Sequence, residues 1–273
     1  MNLLKLTSTA LITVALSGCF EINKNTDQLC EDTPALRCEL LNMNDGQCRL
    51  PRTDLIWHRY EVFKNPSDKN VIQEYEYARL YRRCLELAAQ IQPIDQSALK
   101  QQRFNALIHS GEELDRIVNQ LQKSRSPETL YFLWSQIGDD QAQREFLQLE
   151  GSPKLETAEL QYALATFYTN RDQLKTIELL NRALELTRSG KVNTDILKTL
   201  ASTHYRVQNK ELAYVWAMVA KRYDVAIASD QELQLLYGFT EDKYNRLDDV
   251  ADSLEDAISS GEFTKASIPR NLK

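Results

Sequence analysis

The chain reads as an all-α protein in which antiparallel helical hairpins stack behind an irregular, disulfide-stapled N-terminal segment. Three observations predict this. Eight Gly and seven Pro in 273 residues are too few for a sandwich or barrel, whose strands need turn residues roughly every 8–12 positions. Beyond Cys48 the apolar residues recur at helical rather than alternating spacing, with short polar punctuation between runs. A block of them also returns at a fixed offset of 37 residues, the mark of hairpins whose apolar faces are buried only by their neighbours.

Residues 1–18 place Lys5 before an apolar run from Leu6 to Leu16, a secretory signal pattern and shorter than the roughly 20 residues that span a bilayer. Leu16-Ser17-Gly18-Cys19 resembles the lipobox of bacterial lipoproteins. That resemblance implies cleavage before Cys19 and acylation, including palmitate, of its thiol. One acyl chain holds a protein only marginally, at about 0.8 kcal/mol per buried CH2; the three chains usual in such lipoproteins hold it essentially permanently. Phe20, where an Asp favours inner-membrane retention, implies the outer membrane, with the body expected to face the periplasm. The alternative is an ordinary secretory signal followed by an incidental cysteine. No other segment is apolar and long enough to cross a membrane, so the lipid is the expected anchor.

A formal net charge of −6 gives no general electrostatic reason to bind nucleic acid, and no nucleic-acid partner is expected. The 255 residues after position 18 suffice for one large or two small domains. With Cys19 assigned to lipid, Cys30, Cys38, Cys48 and Cys84 form an even set in an oxidising compartment, which implies two disulfides with three connectivities open. The Asn44-Asp45-Gly46 turn between Cys38 and Cys48 favours a local Cys38–Cys48 bridge, leaving Cys30 for Cys84. Zinc is disfavoured, because spacings of 8, 10 and 36 residues supply no close Cys pair. Residues 19–66 are therefore read as a tether and a cysteine-rich irregular segment.

Residues 67–151 are read as an N-terminal helical region. Ser67-Asp68 caps a helix running to about Gln90, with Ile72, Tyr75, Ala78, Leu80, Cys84, Leu85, Leu87 and Ala88 as its apolar positions, and Pro93 ends it. Gln96 to Gln122 comes next, with a bend expected at Ser110-Gly111, since Gly weakens a helix interior by about 1 kcal/mol relative to Ala. Ser126-Pro127-Glu128 supplies an N-cap, a Pro at the first position and an early acid. Gly138-Asp139-Asp140 breaks and recaps.

Residues 152–263 carry the repeat. Ser152-Pro153 opens a helix, Asn170-Arg171-Asp172 turns, and a second helix begins; Gln208-Asn209 makes the matching turn later. Leu160 corresponds to Leu197, Ala163 to Leu200, Leu164 to Ala201, Leu180 to Ala217 and Ala183 to Ala220. These positions resemble the tetratricopeptide pattern, and Ala213 to Ala220 is similar to the second helix of Sel1-like repeats. Thr176 departs from that pattern, which prefers Ala there, and the period exceeds the usual 34. Ser229 to Glu232 is a capping box, Glu241 to Ile258 a terminal helix, and 264–273 an expected frayed tail.

The lipobox, the four cysteines, Asp45-Gly46-Gln47-Cys48, Leu133-Trp134-Ser135, Phe146-Leu147-Gln148-Leu149-Glu150-Gly151 and Ala213-Tyr214-Val215-Trp216 together resemble an uncharacterised family of proteobacterial lipoproteins, the domain of unknown function 2989. The resemblance implies a Gram-negative envelope location and brings no reaction or ligand.

No convergent chemistry appears in the sequence. His58, His109 and His204 lie in unrelated segments without metal or triad spacing; His204 falls at a repeat-interior position and reads as a packed residue. No nucleophile elbow, zincin or phosphate-loop motif is present. Asp139-Asp140 and Asp248-Asp249 sit where capping and solvation explain them. The densest aromatic and basic group, Tyr75, Tyr77, Arg79, Tyr81, Arg82 and Arg83, splits between helix faces and reads as packing plus solvation. The expectation is a non-enzymatic, lipid-anchored scaffold without cofactor or metal. Its repeat surface, around Tyr168, Arg171, Tyr205, Arg206 and Tyr214, would hold a protein partner in the cell envelope. A peptidoglycan hydrolase or its regulator is the alternative, and a small-ligand receptor the second alternative.

Overall fold

Capping side chains start half of the helices where the sequence places them. The computed structural model describes residues 24–91 and 97–272; the predicted leader, Cys19 and the stop at Pro93 lie outside the described residues. Among the described residues twelve α-helices occur in order: α1 Thr26–Asp32, α2 Arg49–Lys64, α3 Asp68–Ala88, α4 Ser97–Leu121, α5 Pro127–Phe132, α6 Asp140–Leu147, α7 Ala158–Tyr168, α8 Gln173–Glu185, α9 Thr194–Arg206, α10 Lys210–Arg222, α11 Asp230–Tyr237 and α12 Glu241–Ser260. There is no strand among the described residues. Ser67, Ser126, Asp139, Asp172 and Asn209 each accept a backbone N–H of the helix they open, and Ser229 with Glu232 forms the predicted capping box. Each satisfies donors that a helix N-terminus leaves without an intrahelical partner.

In the N-terminal half, α3 packs against both α2 and α4. Both pairs are antiparallel. His58 of α2 meets the Asn70 carbonyl while the α2 N-cap Cys48 meets Cys84, and Arg116 of α4 meets Glu74 while Arg103 reaches the Ala88 carbonyl. The segment expected to be irregular thus contains a 16-residue helix. Two of the four residues α2 buries are Arg52 and Arg59, so its core face carries no continuous apolar period to read.

Three further expectations are corrected. First, α4 runs unbroken through Ser110-Gly111. A Cβ at Gly111 would meet only the mobile end of the Arg82 side chain, 2.7 Å from a guanidinium nitrogen. Second, α3 buries Val71, Glu74, Ala78, Tyr81, Leu85 and Ala88, while Leu80 and Leu87, assigned to its core face, are 47% and 66% exposed. Third, Ser152-Pro153 opens only a 3-10 turn, Pro153–Leu155, and Thr157 caps α7 instead. Between the halves, α5 runs into a π-helical turn, Leu133–Ile137, closed by Gly138 at φ 82°, the left-handed region where glycine has no Cβ penalty.

The C-terminal half stacks by repetition. α7 packs with α8, α9 with α10, and α9 also lies against α8. α8 and α10 are both 13 residues long, start 37 positions apart and are capped by the equivalent Asp172 and Asn209. α12 runs parallel to α10, joined by Lys243–Glu211, Tyr214–Asp248 and Arg222–Asp252. Residues 264–272, part of the expected frayed tail, are held by packing. Phe263 is buried and edge-on to Trp216, the Lys265 N–H donates to Glu185, and Ile268 and Leu272 pack on the core. They form a strap against α8 and α10.

Candidate functional site

The cysteine pairing differs from the favoured one. The bonds are Cys30–Cys38 and Cys48–Cys84, with Cα–Cα separations of 5.9 and 5.7 Å. The 3-10 turn Pro34–Leu36 folds the chain back so that Cys38 meets Cys30 at the end of α1, and Cys48, the N-cap of α2, faces Cys84 across the α2–α3 packing. Asn44-Asp45-Gly46 does turn, but it serves a different purpose. Asp45 is buried and accepts from both Arg103 Nε and Nη2, while Asn42 is held by the Tyr81 hydroxyl and Arg52. The Arg103 guanidinium holds the Asp45 carboxyl down at about 2, and burial pushes the Tyr81 phenol up to about 12.

A second polar cluster lies between α2, α3 and α4. Glu113 bonds Arg116 at 2.7 Å, Arg37 at 2.5 Å and Arg59 at 3.3 Å; Glu74 meets Arg59 at 3.6 Å and Arg116 at 3.1 Å. Burial pushes the Glu74 carboxyl up, whereas at Glu113 the arginines outweigh burial and hold it down. The adjoining space between Arg59, Tyr81, Ser110 and Glu113 is only about 10 Å³, about the least that admits one water. These charges knit the bundle and leave no room for a substrate.

Of the residues assigned to a partner surface, the structure keeps some outside and removes one. Tyr214 is buried: its hydroxyl donates to Asp248 and its ring packs among Tyr237, Phe239 and Tyr244. Tyr168 is half-buried, donating to Glu150 beneath the Lys175 ammonium. Arg171 lies over the Phe167 ring and donates to that residue's carbonyl, and Arg206 donates to the Thr169 carbonyl and Asn170. Tyr205 is 38% exposed and belongs to a sizeable concavity of this half, a groove of about 370 Å³ between α9, α10, residues 225–227 and α11. Its floor is Ala201, Ala217 and Ala220, its walls Ile227, Leu236 and Tyr237, and its rim Lys198 and Arg206. Leu235, beside it, is 87% exposed. Leu235 and Leu236 escape a reading of the sequence because a capping box leading into two leucines looks like an ordinary core helix.

The histidines and carboxylate pairs stay apart. His58 meets the Asn70 carbonyl, His109 meets Glu112, and His204 is buried with neither ring nitrogen hydrogen-bonded, its pKa lowered by burial to about 4. Asp139 caps α6, and Asp248 accepts from Tyr214. Among the described residues no three metal-ligating side chains converge, and no helix is long and apolar enough to cross a membrane.

Residues 16–218 match the family described as protein of unknown function DUF2989. The matched span takes in both disulfides and the two 37-residue hairpins up to Met218 within α10. No curated protein and no solved structure matches the chain. With most of its length covered by that match, the chain belongs to the DUF2989 family.

Proposed function

We propose that this protein is a non-enzymatic adaptor of the Gram-negative cell envelope, anchored to the outer membrane by acyl chains on Cys19, with its helical body in the periplasm. In this reading the 37-residue hairpins are tetratricopeptide- or Sel1-like units that present a surface to a protein partner. The observation that carries it is the open, apolar-floored groove beside Tyr205 with Leu235 and Leu236 exposed at its edge, since rimmed apolar patches of this kind mark interaction sites. Removing Tyr214 from the surface moves the contact area toward Tyr205 and Arg206. Photo-crosslinking in intact cells from Arg171, Tyr205 and Arg206 tests this. Discrete adducts with another envelope protein are expected; none from any of the three positions would refute it.

A small-ligand receptor is the second reading, because about 370 Å³ falls at the low end of the roughly 300–1,000 Å³ of ligand pockets. A ligand-dependent rise in melting temperature that Ala217→Trp abolishes would favour it.

A further inference from the structure

The groove beside α9 is the face on which the next hairpin of the stack should sit. Four of the residues that α9 and α10 turn into it, Lys198, Ala201, Ser202 and Ala217, have counterparts 37 positions earlier that are covered. Gln161, Leu164 and Ala165 of α7 and Leu180 of α8 are buried, in the hairpin on which α9 stacks. Their equivalents Lys198 and Ser202 are exposed, and Ala201 and Ala217 only half-buried. The elements that come after the two hairpins also differ. After the first stands α9, 13 residues long; after the second comes extended chain and then α11, with eight. At about 1.5 Å of rise per residue the shorter helix leaves roughly 7 Å of the berth without a helical wall. The substitutions on the floor also deepen the site, since Leu164 and Leu180 become Ala201 and Ala217.

We propose that this vacant stacking face is the docking site for one amphipathic helix of the protein partner, which adds to the hairpin stack as α9 does. The proposal rests on the adaptor reading and specifies its site and partner class. The chain itself displays the kind of helix that such a face accepts. α9 buries Ile196, Leu197, Leu200 and the Thr203-His204 pair, so the partner segment carries apolar residues at i, i+1, i+4 and i+7 or i+8, the pattern of helix-in-groove recognition. It also carries carboxylates on its flanks, because the lining residues include two cations and no acid: Arg206, and Lys198, whose ammonium is shared with the exposed Asp195 one turn back.

The test uses the full-length lipidated protein in intact cells, with a photoreactive benzoylphenylalanine at Ser202 in the groove. Matched probes at Arg171 on the first hairpin and at Leu174, 73% exposed on α8, serve for comparison. Digestion and mass spectrometry identify the crosslinked peptide. The expected result is an adduct from Ser202 to one peptide of another protein with the apolar spacing above and flanking acids. Ala217→Trp, which fills the floor, should cut the yield about tenfold, as blocking a central apolar contact does. Lys198→Glu, a surface change that leaves the floor intact, should lower it as well and keeps the test valid if Ala217→Trp misfolds. Adducts from Arg171 or Leu174 but not Ser202 would overturn the docking site while sparing the adaptor reading; none from any position would overturn both. A Ser202 adduct to lipid, to a second copy of this chain or to a peptide without helical spacing would also overturn the proposal.

Discussion

The N-terminal bundle and the C-terminal hairpins are both helical, yet they are held together by different physics. In α2–α4 the contacts that fix the packing are long-range and polar: Cys48–Cys84, Asp45–Arg103 across 58 positions, and Glu113 gathering Arg37, Arg59 and Arg116 from three segments. In α7–α10 they are short-range and apolar, with Leu160, Ala163, Leu180 and Ala183 repeated as Leu197, Leu200, Ala217 and Ala220. The first arrangement specifies one geometry, since a buried charge tolerates only the position that pairs it. The second specifies a rule of stacking, which a further helix can extend.

The contrast can be broken most severely at Glu113. Glu113→Ala leaves the buried Arg59 with the Leu36 carbonyl and, as its one remaining carboxylate, Glu74 at 3.6 Å, and a broken buried pair costs about 3–5 kcal/mol. Urea unfolding monitored by tryptophan and circular dichroism signals should show that loss, and a change below about 0.5 kcal/mol would mean that the cluster is solvated. Replacing Cys48 and Cys84 together by Ala should cost about 2–4 kcal/mol, mainly through a freer unfolded chain, read from the same unfolding curves.

Acid sharpens the comparison next. The Asp45 carboxyl titrates at about 2 instead of 3.8, so it contributes stability above its unfolded value, and this is lost as pH falls from about 4 to about 2. At about 1.4 kcal/mol per pKa unit the loss is about 2 kcal/mol, and Asp45→Asn should flatten the stability–pH curve in that window. His204 supplies a pH effect of comparable size in the other half. Its pKa is lowered from 6.5 to about 4, so the folded state favours the neutral ring, and stability is full above about 6.5 and lost as pH falls toward 4. The equivalent position one repeat earlier is Phe167. His204→Phe should remove that sensitivity and raise the melting temperature by a few degrees; a lower melting temperature would show that the imidazole is held by contacts the ring does not display.

The same division explains what was legible in the sequence. The hairpins could be read because every signal there is local: Asp172 and Asn209 cap, and small residues recur at one offset. The bundle resisted because its core is written in residues that sequence patterns assign to solvent. Arg52, Arg59, Glu74, Arg103 and Glu113 are all buried, which hid α2 and rotated the expected face of α3 toward Leu80 and Leu87. The Asn44-Asp45-Gly46 turn misdirected the disulfide pairing because its Asp45 carbonyl serves Arg52 and its Asp45 carboxylate serves Arg103, and neither serves the flanking cysteines. The groove could not be read at all, since it exists through a helix that is five residues too short for its place, and α11 looks complete on its own.

Hydrogen exchange by mass spectrometry on the full chain, with and without reductant, separates the cohesion of the two halves. Reduction of Cys48–Cys84 should raise exchange across Arg49–Leu121 while Ala158–Arg222 keeps its protection, because the hairpins depend on neighbours and not on the bridge. Loss of protection in both halves together would contradict the account, showing one cooperative unit where two modes of cohesion are claimed.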